Sequence, residues 1–209
     1  MTTILILAFS LTLIYFTITE RFRTYAILTG MQGFLLFAIS VIELEKISTA
    51  NFLFIIAETV LFKTILVPFL LMRIIREMKF PRVHKRALPG YYAIILASAL
   101  LLLSYITAVS LGNTEVDRLY LTVSLFAMFT GLLLIITHKK IFSHLVGFLV
   151  LENAVFLFSL TIGNEMPMLI NTAILLDIFI SVLILGAFAT RIGRATESME
   201  SEDLSQLKD

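Results

Sequence analysis

The sequence predicts an all-α polytopic membrane protein with seven transmembrane helices, arranged as two parallel three-helix repeats joined by a linker helix. Composition, the spacing of apolar segments and the placement of basic residues lead to this prediction. Of the 209 residues, 59% are hydrophobic and only 15% are charged, and the mean hydropathy is +0.99. A soluble domain holds about half apolar and about a quarter charged residues, so the apolar excess exceeds what a soluble core uses.

Seven apolar segments are each close to the length that crosses a membrane, about 20 residues. They cover residues 3–19, 25–42, 51–72, 90–111, 119–137, 145–162 and 168–190. The segments are long and continuous, whereas the strands of a membrane β-barrel alternate over about ten residues. The first one lacks a basic leader and a small-residue cleavage site, so we interpret it as a membrane helix and not as a signal peptide.

The basic residues give an independent test of the seven-helix prediction, because lysine and arginine concentrate in cytoplasmic loops. Seven spans put 13 of the 16 basic residues on one side, only Lys46 and Arg118 on the other, and Lys63 within a span. The 13 are Arg21, Arg23, Arg73, Arg76, Lys79, Arg82, Lys85, Arg86, Lys139, Lys140, Arg191, Arg194 and Lys208. We therefore expect a cytoplasmic (inner) membrane protein with its N-terminus outside and its C-terminus in the cytoplasm.

Composition also excludes several kinds of chemistry. The chain has no cysteine, so it forms no disulfide, ligates no iron–sulfur cluster through cysteine and offers no thiol nucleophile. The histidines His84, His138 and His144 lie in loops or at segment ends without metal-ligand spacing, and we interpret them as interfacial polar residues. A net charge of +1 gives no field that would attract nucleic acid. We expect neither a cofactor, a metal nor a catalytic residue in this chain.

The first three spans resemble the last three, which predicts an internal repeat. A shift of 119 residues aligns Glu58 with Asp177, and a shift of 120 aligns Gln32 with Glu152 in the second and sixth spans. A single span joins the halves, so both have the same orientation and the repeat is parallel. The predicted units are a first repeat at 1–72, a basic loop and linker helix at 73–118, a second repeat at 119–194 and an acidic cytoplasmic tail at 195–209.

The basic loop at 73–89 carries six of the basic residues together with two prolines. Its simplest role is to fix the topology of the neighbouring spans. The same charge is also suited to a peripheral subunit or to anionic lipid, and the sequence leaves these roles open.

Four ionisable residues, Glu58, Lys63, Glu152 and Asp177, lie inside the apolar segments. A charge in hydrocarbon is costly, so such residues usually face a bundle interior and mark a proton or ion route. A rise of 1.5 Å per residue places all four near mid-depth. A band at one depth favours charge passed sideways between neighbouring subunits over a pore through one chain. Together the four would carry −2, so we expect one carboxylate to hold a proton or a partner subunit to supply a cation.

The neighbours of these residues refine the prediction. Glu58 and Lys63 are five residues apart, about 140° around a helix, so each needs a partner on another helix. Gly30 and Gly33 flank Gln32 and predict close approach of a second helix. Polar residues Gln32 and Asn153 are expected to support the charged groups. Pro68 has no backbone N–H, which frees a carbonyl near Thr64 and is compatible with either a polar notch or a simple kink.

The residues of the second half resemble a known family. The stretch Gly-Phe-Leu-Val-Leu-Glu-Asn at 147–153, followed by Asp177 in the next span, resembles the K subunit of respiratory complex I and the C subunit of multisubunit cation/proton antiporters. Those subunits are small three-helix proteins with an embedded Glu on the second helix and an acid on the third. The whole chain resembles hydrogenase-4 component E, with Leu-Glu-Asn at 151–153 and Lys-x-x-Leu-Val-Pro at 63–68.

The resemblance implies a non-catalytic membrane-arm subunit of a proton-translocating, hydrogenase-like complex, in which Glu152 and Asp177 are proton-relay carboxylates and Lys63 is a relay base. Glu58 is a fourth candidate relay residue because it lies inside an apolar segment. The resemblance also implies antiporter-like membrane subunits, peripheral hydrogenase-like subunits on the cytoplasmic side and lipid as partners, with redox chemistry in other chains. Gln32 departs from the K-subunit pattern, which leaves open whether the first half conducts. The alternatives are a structural scaffold subunit, an accessory antiporter subunit and, less favoured, a stand-alone solute transporter.

Overall fold

The computed structural model describes residues 1–43, 53, 56–77, 90–111, 117–138 and 141–162. Within these ranges the chain is helical and contains no β-strand. The elements are α1 at Thr2–Ile18, α2 at Phe22–Glu43, a π-helix at Ala57–Leu66 that continues directly into α3 at Val67–Glu77, α4 at Gly90–Leu111, α5 at Arg118–Thr137 and α6 at Ile141–Ile162. The predicted all-α class is confirmed for this part of the chain.

Four of the described helices are long and apolar enough to cross a membrane. They are α2, α4, α5 and α6, and α1 is a shorter apolar helix. These helices fit a membrane protein by their length and composition. The predicted seventh span at 168–190 and the acidic tail at 195–209 lie outside the described residues, so the count of seven spans stays a prediction.

Several helices extend beyond the apolar segments that predicted them. α2 begins at Phe22, three residues before the predicted start, and α6 begins at Ile141, four residues before it. α3 ends at Glu77, five residues past the predicted end of the third span. Hydropathy marks only the part of a helix that lies in hydrocarbon, whereas backbone hydrogen bonding continues into the polar residues beyond it.

Hydroxyl side chains within the helices bond to the backbone of their own helix. Thr12 Oγ1 donates to the Phe9 carbonyl at 2.6 Å, Thr29 Oγ1 to the Tyr25 carbonyl at 2.9 Å and Thr130 Oγ1 to the Phe126 carbonyl at 2.8 Å. A carbonyl oxygen has two lone pairs and accepts this second bond without breaking the helix. Threonine and serine are therefore tolerated in otherwise apolar helices.

Helices α5 and α6 share the most extensive contact among the described helices, and two glycines permit it. A Cβ atom on Gly131 would lie 2.7 Å from the Gly147 carbonyl oxygen, and one on Gly147 would lie 2.8 Å from the Gly131 carbonyl oxygen. Paired small residues let helix backbones approach in this way. The pair fixes the position of α6, which carries Glu152.

Helix α2 packs against α1 on one side and against the π-helix, α3 and α6 on the others, while α1 also packs against α4 and α5. The first span therefore contacts the fifth, and the second contacts the sixth. The predicted three-helix repeat includes the segment 168–190, and it stays a prediction. α4 is the most exposed of the long helices, with 17% of its apolar window buried, and its outward side chains suit contact with lipid.

Candidate functional site

An ion pair between Lys63 and Glu152 lies in the interior of the bundle. Lys63 Nζ is 2.5 Å from Glu152 Oε1, and each side chain is 7% exposed. Glu152 is near the middle of α6, about 15 Å from either end at 1.5 Å per residue. The sequence alone put these residues in different halves of the chain, and the fold brings them into contact. Lys63 finds a partner on another helix, as predicted.

The helix that carries Lys63 is wound as a π-helix, with hydrogen bonds to the fifth preceding residue. The Val67 N–H donates to the Phe62 carbonyl, and Thr64 Oγ1 donates to the Thr59 carbonyl at 2.7 Å. Pro68 follows directly and offers no N–H to the ladder. Single π-turns are uncommon and frequently occur at functional sites. Pro68 predicted a change in backbone hydrogen bonding near Thr64, and the structure shows this change as a widened helical turn that carries Lys63.

Glycines of α2 allow this π-helix to lie against α2 at backbone distance. A Cβ atom on Gly33 would lie 2.7 Å from the carbonyl carbon of Lys63 and 2.9 Å from the Thr64 nitrogen. One on Gly30 would lie 2.8 Å from Pro68 Cγ. The predicted close approach at Gly30 and Gly33 is confirmed, and it fixes where the Lys63 side chain starts.

One face of α6 supplies two different partners for the lysine. Phe156 follows Glu152 by four residues and so lies one turn further along the same face. Lys63 Nζ is 4.5 Å from the centroid of the Phe156 ring, within the range of a cation–π contact. A carboxylate and an aromatic face together stabilise a charged amine where water is scarce.

A chain of neutral hydrogen bonds lies beside the ion pair. Asn153 Nδ2 donates to Gln32 Oε1 at 3.2 Å, and Gln32 Nε2 donates to Thr12 Oγ1 at 3.0 Å. Because Thr12 already donates its hydroxyl proton to the Phe9 carbonyl, its oxygen must accept, which fixes the orientation of the Gln32 amide. Gln32 and Asn153 are buried, and the chain links α1, α2 and α6 at the depth of Glu152.

The arrangement holds two opposite charges in a low-dielectric interior, where their interaction is strong and removal of either one is costly. The pair is neutral as a unit, so it accounts for two of the four predicted intramembrane charges without a net cost in charge. A proton gained or lost by either member changes that balance. The site is therefore suited to coupling one protonation event to another.

The structure brings together Lys63, Glu152, Gln32 and Asn153. Glu58 lies in the π-helix, but its side chain is outside the described part of the chain, as is Asp177. Sequence reasoning missed the contributions of Thr12 and Phe156. A polar residue in the first span and an aromatic residue one turn from Glu152 were available as signals, but both are common in membrane helices.

Among the residues that the structure describes, no three His, Asp or Glu side chains form a group suited to a metal ion. No protein-family model, no curated protein and no solved structure matches this chain. The resemblance to hydrogenase-4 component E accordingly stays a prediction from the motifs at 63–68 and 151–153.

Proposed function

We propose that this chain is a membrane-arm subunit of a proton-translocating, energy-converting complex of the hydrogenase or complex I type, and that it relays protons or charge laterally. The observation that carries the proposal is the ion pair between Lys63 and Glu152, buried at mid-height of the bundle with side chains 7% exposed. Buried ionisable residues in membrane helices are costly and usually functional.

The pair supports a relay by simple charge coupling. A proton that arrives at Glu152 neutralises the carboxylate and removes the close counter-ion of Lys63. The free energy of the charged amine then rises, because its environment has a low dielectric constant, and release of its proton toward the next group becomes favourable. Transfer of the Glu152 proton to the neutral Lys63 amine then restores the carboxylate and the ammonium, so one proton enters for each proton that leaves.

The remaining features of the proposal extend this relay beyond the described site. Glu58 and Asp177 act as further ionisable steps in a protein of seven spans, with the N-terminus outside and the C-terminus in the cytoplasm. Antiporter-like membrane subunits exchange protons with the relay, and peripheral hydrogenase-like subunits carry the redox chemistry. The resemblance of residues 147–153 to K-type subunits supports this assignment, as does the excess of basic residues on one side of the predicted spans.

A structural scaffold subunit is the second candidate. The close glycine contact between Gly131 and Gly147, with 2.7 Å from a Gly131 Cβ to the Gly147 carbonyl oxygen, supports this candidate, and a neutral buried pair can serve only to fix helix register. An accessory subunit of a cation/proton antiporter is a third candidate, which the likeness of 147–153 to antiporter C subunits favours. Both differ from the leading proposal in what Glu152 must do.

Proton translocation by the complex in inverted membrane vesicles tests the relay. Glu152→Gln keeps the size and hydrogen-bonding capacity of the side chain but cannot ionise, so we expect an assembled complex with proton translocation reduced at least about tenfold, equivalent to about 1.4 kcal/mol in the coupled step. Glu202→Gln, which removes the same charge from the acidic segment beyond the predicted spans, is the matched control and should translocate normally. Normal assembly with normal translocation in Glu152→Gln would leave only the scaffold function.

Purification of the tagged full-length chain from native membranes identifies the complex. Recovery with hydrogenase-like and antiporter-like subunits supports the leading proposal. Recovery with antiporter subunits alone supports the accessory function, and recovery of the chain by itself contradicts all three subunit assignments.

A further inference from the structure

A second buried polar cluster lies at the end of the bundle where α1 and α5 finish. Its centre is His138, which follows the last residue of α5 and is 8% exposed. Tyr25 of α2 is 1% exposed, and its hydroxyl is 3.3 Å from His138 Nε2 and 3.1 Å from the Thr19 carbonyl oxygen. The sequence predicted only an interfacial polar role for His138.

The contacts of His138 Nδ1 determine where one ring proton lies. Thr137 Oγ1 donates its only proton to the Leu133 carbonyl at 2.6 Å, so at 2.9 Å from Nδ1 it can only accept. The Leu134 carbonyl oxygen, 3.1 Å from Nδ1, is also an acceptor. With these contacts, Nδ1 therefore carries a hydrogen.

The contacts of Nε2 depend on the single proton of the Tyr25 hydroxyl. If that proton is donated to Thr19, the tyrosine oxygen can only accept from the ring, and Nε2 must carry a hydrogen as well. The ring is then a charged imidazolium. If the hydroxyl proton is donated to Nε2, the ring is neutral and the Thr19 carbonyl loses this bond. All the contacts described around Tyr25 and His138 are made together only when His138 is charged.

Some of the surrounding charges favour the charged form of His138 and others oppose it. The C-terminal end of α5 is the negative end of its helix dipole and favours a cation at His138. Exposed Arg21 and Arg23 at the start of α2, and Lys139 and Lys140 that follow in sequence, oppose it, while exposed Glu20 favours it. His144 of α6 lies 2.6 Å through Nε2 from the His138 carbonyl oxygen, so that nitrogen donates and the imidazole of His144 does not compete for Nε2 of His138.

We infer that Thr19, Tyr25 and His138 form a proton-binding site, in which the Tyr25 hydroxyl turns from Nε2 to the Thr19 carbonyl when His138 takes up a proton. The proton bonds to Nε2, and a transfer back to solvent or to a neighbouring acceptor restores the neutral ring. The ligand is thus a proton from the aqueous phase at the end of the bundle that carries Arg21 and Arg23.

Helix α2 connects this site to the buried ion pair. Tyr25, Thr29 and Gln32 are spaced four and three residues apart, so they share one helix face, and all three are buried. Gln32 bonds to Asn153, the neighbour of Glu152. The assignment of the site as the proton exchange point of the relay rests on the proposed function, whereas proton binding at His138 does not.

Nitrogen-15 NMR of the full-length chain labelled at histidine tests the site directly. We expect one resonance set, absent from His138→Gln, to titrate between imidazolium and the neutral form protonated at Nδ1. In Tyr25→Phe the charged ring loses its bond to the tyrosine oxygen, so its titration midpoint should move about one unit toward lower pH. The resonances of His144 serve as an internal control. Tyr25→Phe should leave them unchanged, because Nε2 of His144 donates to the His138 carbonyl oxygen.

A vibrational measurement on the unchanged sequence covers the case in which Tyr25→Phe does not fold. The C–O stretch of site-specifically 13C-labelled Tyr25 should shift at the same pH as His138 titrates, because the hydroxyl changes its acceptor. A ring that stays neutral across the accessible pH range, a neutral form protonated at Nε2, or a tyrosine band that does not follow the titration would overturn the inference. Normal titration of His138 together with full translocation by Glu152→Gln would instead remove the relay and leave the site intact.

Discussion

At the scale of single residues, the Lys63–Glu152 pair affects stability most when one member is replaced, because the other is then a buried charge without its partner. Both side chains are 7% exposed, so Lys63→Met or Glu152→Gln leaves a buried group without its counter-charge. Breaking a buried pair in this way costs about 3–5 kcal/mol, whereas replacing both members with neutral groups of similar size is often nearly neutral.

We therefore predict that each single substitution lowers the stability of the purified protein and that the double variant Lys63→Met/Glu152→Gln regains most of the loss. Unfolding in a denaturing detergent, measured as a double-mutant cycle, gives the coupling energy. Additive losses in the double variant would show that the two charges do not interact. Because the double variant is predicted to assemble but not to translocate protons, the same protein separates stability from function.

The candidate site could be predicted in part because a charge in an apolar segment is rare and so conspicuous. Lys63 and Glu152 needed only a count of the neighbouring apolar residues, and Gln32 followed from the alignment with Glu152. Their pairing could not be predicted, because it depends on which face α6 turns toward the π-helix. For His138 the sequence predicted an interfacial polar role, but its position at a segment end gave no sign of its burial beside Tyr25.

At the scale of elements, the π-helix and α2 are in backbone contact at Gly33, where a side chain would push the two helices apart. A Cβ atom on Gly33 would lie 2.7 Å from the carbonyl carbon of Lys63, and backbone atoms cannot rotate away as a flexible side chain can. Helix propensity alone favours alanine over glycine by about 1 kcal/mol. Packing and propensity therefore make opposite predictions for Gly33→Ala.

We predict that packing prevails and that Gly33→Ala is destabilised by about 1–3 kcal/mol, the usual cost of an overpacked contact. Thermal unfolding of the purified chain measures the effect. Met31→Ala is the control on the same helix, because Met31 is 50% exposed and its truncation should change stability by no more than about 0.5 kcal/mol. A Gly33→Ala protein more stable than the unchanged one would mean that α2 and the π-helix are not in backbone contact.

The presence of the helices was predicted well from the sequence, whereas the π-helical hydrogen bonding of the third span was not. Apolar segments of membrane length predicted the positions of α1, α2, α4, α5 and α6 within a few residues. The π-helix at Ala57–Leu66 has the same hydropathy as an α-helix and differs only in its hydrogen-bond register. Pro68 signalled a disturbance but not its form, because proline kinks many helices that keep α-geometry on both sides.

At the scale of the whole molecule, the contacts place two sequence-distant connections at the same end of the bundle. Tyr25, near the connection between α1 and α2, reaches His138, at the connection between α5 and α6, with 3.3 Å between the hydroxyl and Nε2. The sequence predicts four spans between these connections, and an even number is in agreement with this contact. Arg21 and Arg23 therefore lie at the same end as His138, which directly precedes Lys139 and Lys140 in sequence, in agreement with the segregation of basic residues on which the predicted orientation depends.

The absence of cysteine makes that orientation directly measurable, since any introduced thiol is the only one in the chain. We predict that Glu20→Cys and Lys139→Cys react with a membrane-impermeant maleimide only in inverted vesicles, and that Thr114→Cys, between α4 and α5, reacts only in intact cells.

The thiols at positions 20 and 139 must react from the same side of the membrane in either orientation. The contact between Tyr25 and His138 requires this, because it places residues 20 and 138 at the same end of the bundle. Reaction of all three from one side would contradict an odd number of spans between residues 20 and 114, and with it the lateral relay at mid-depth. Reaction in the reversed pattern would keep the fold but place the basic end, and the proton-binding site at His138, on the outer face of the membrane.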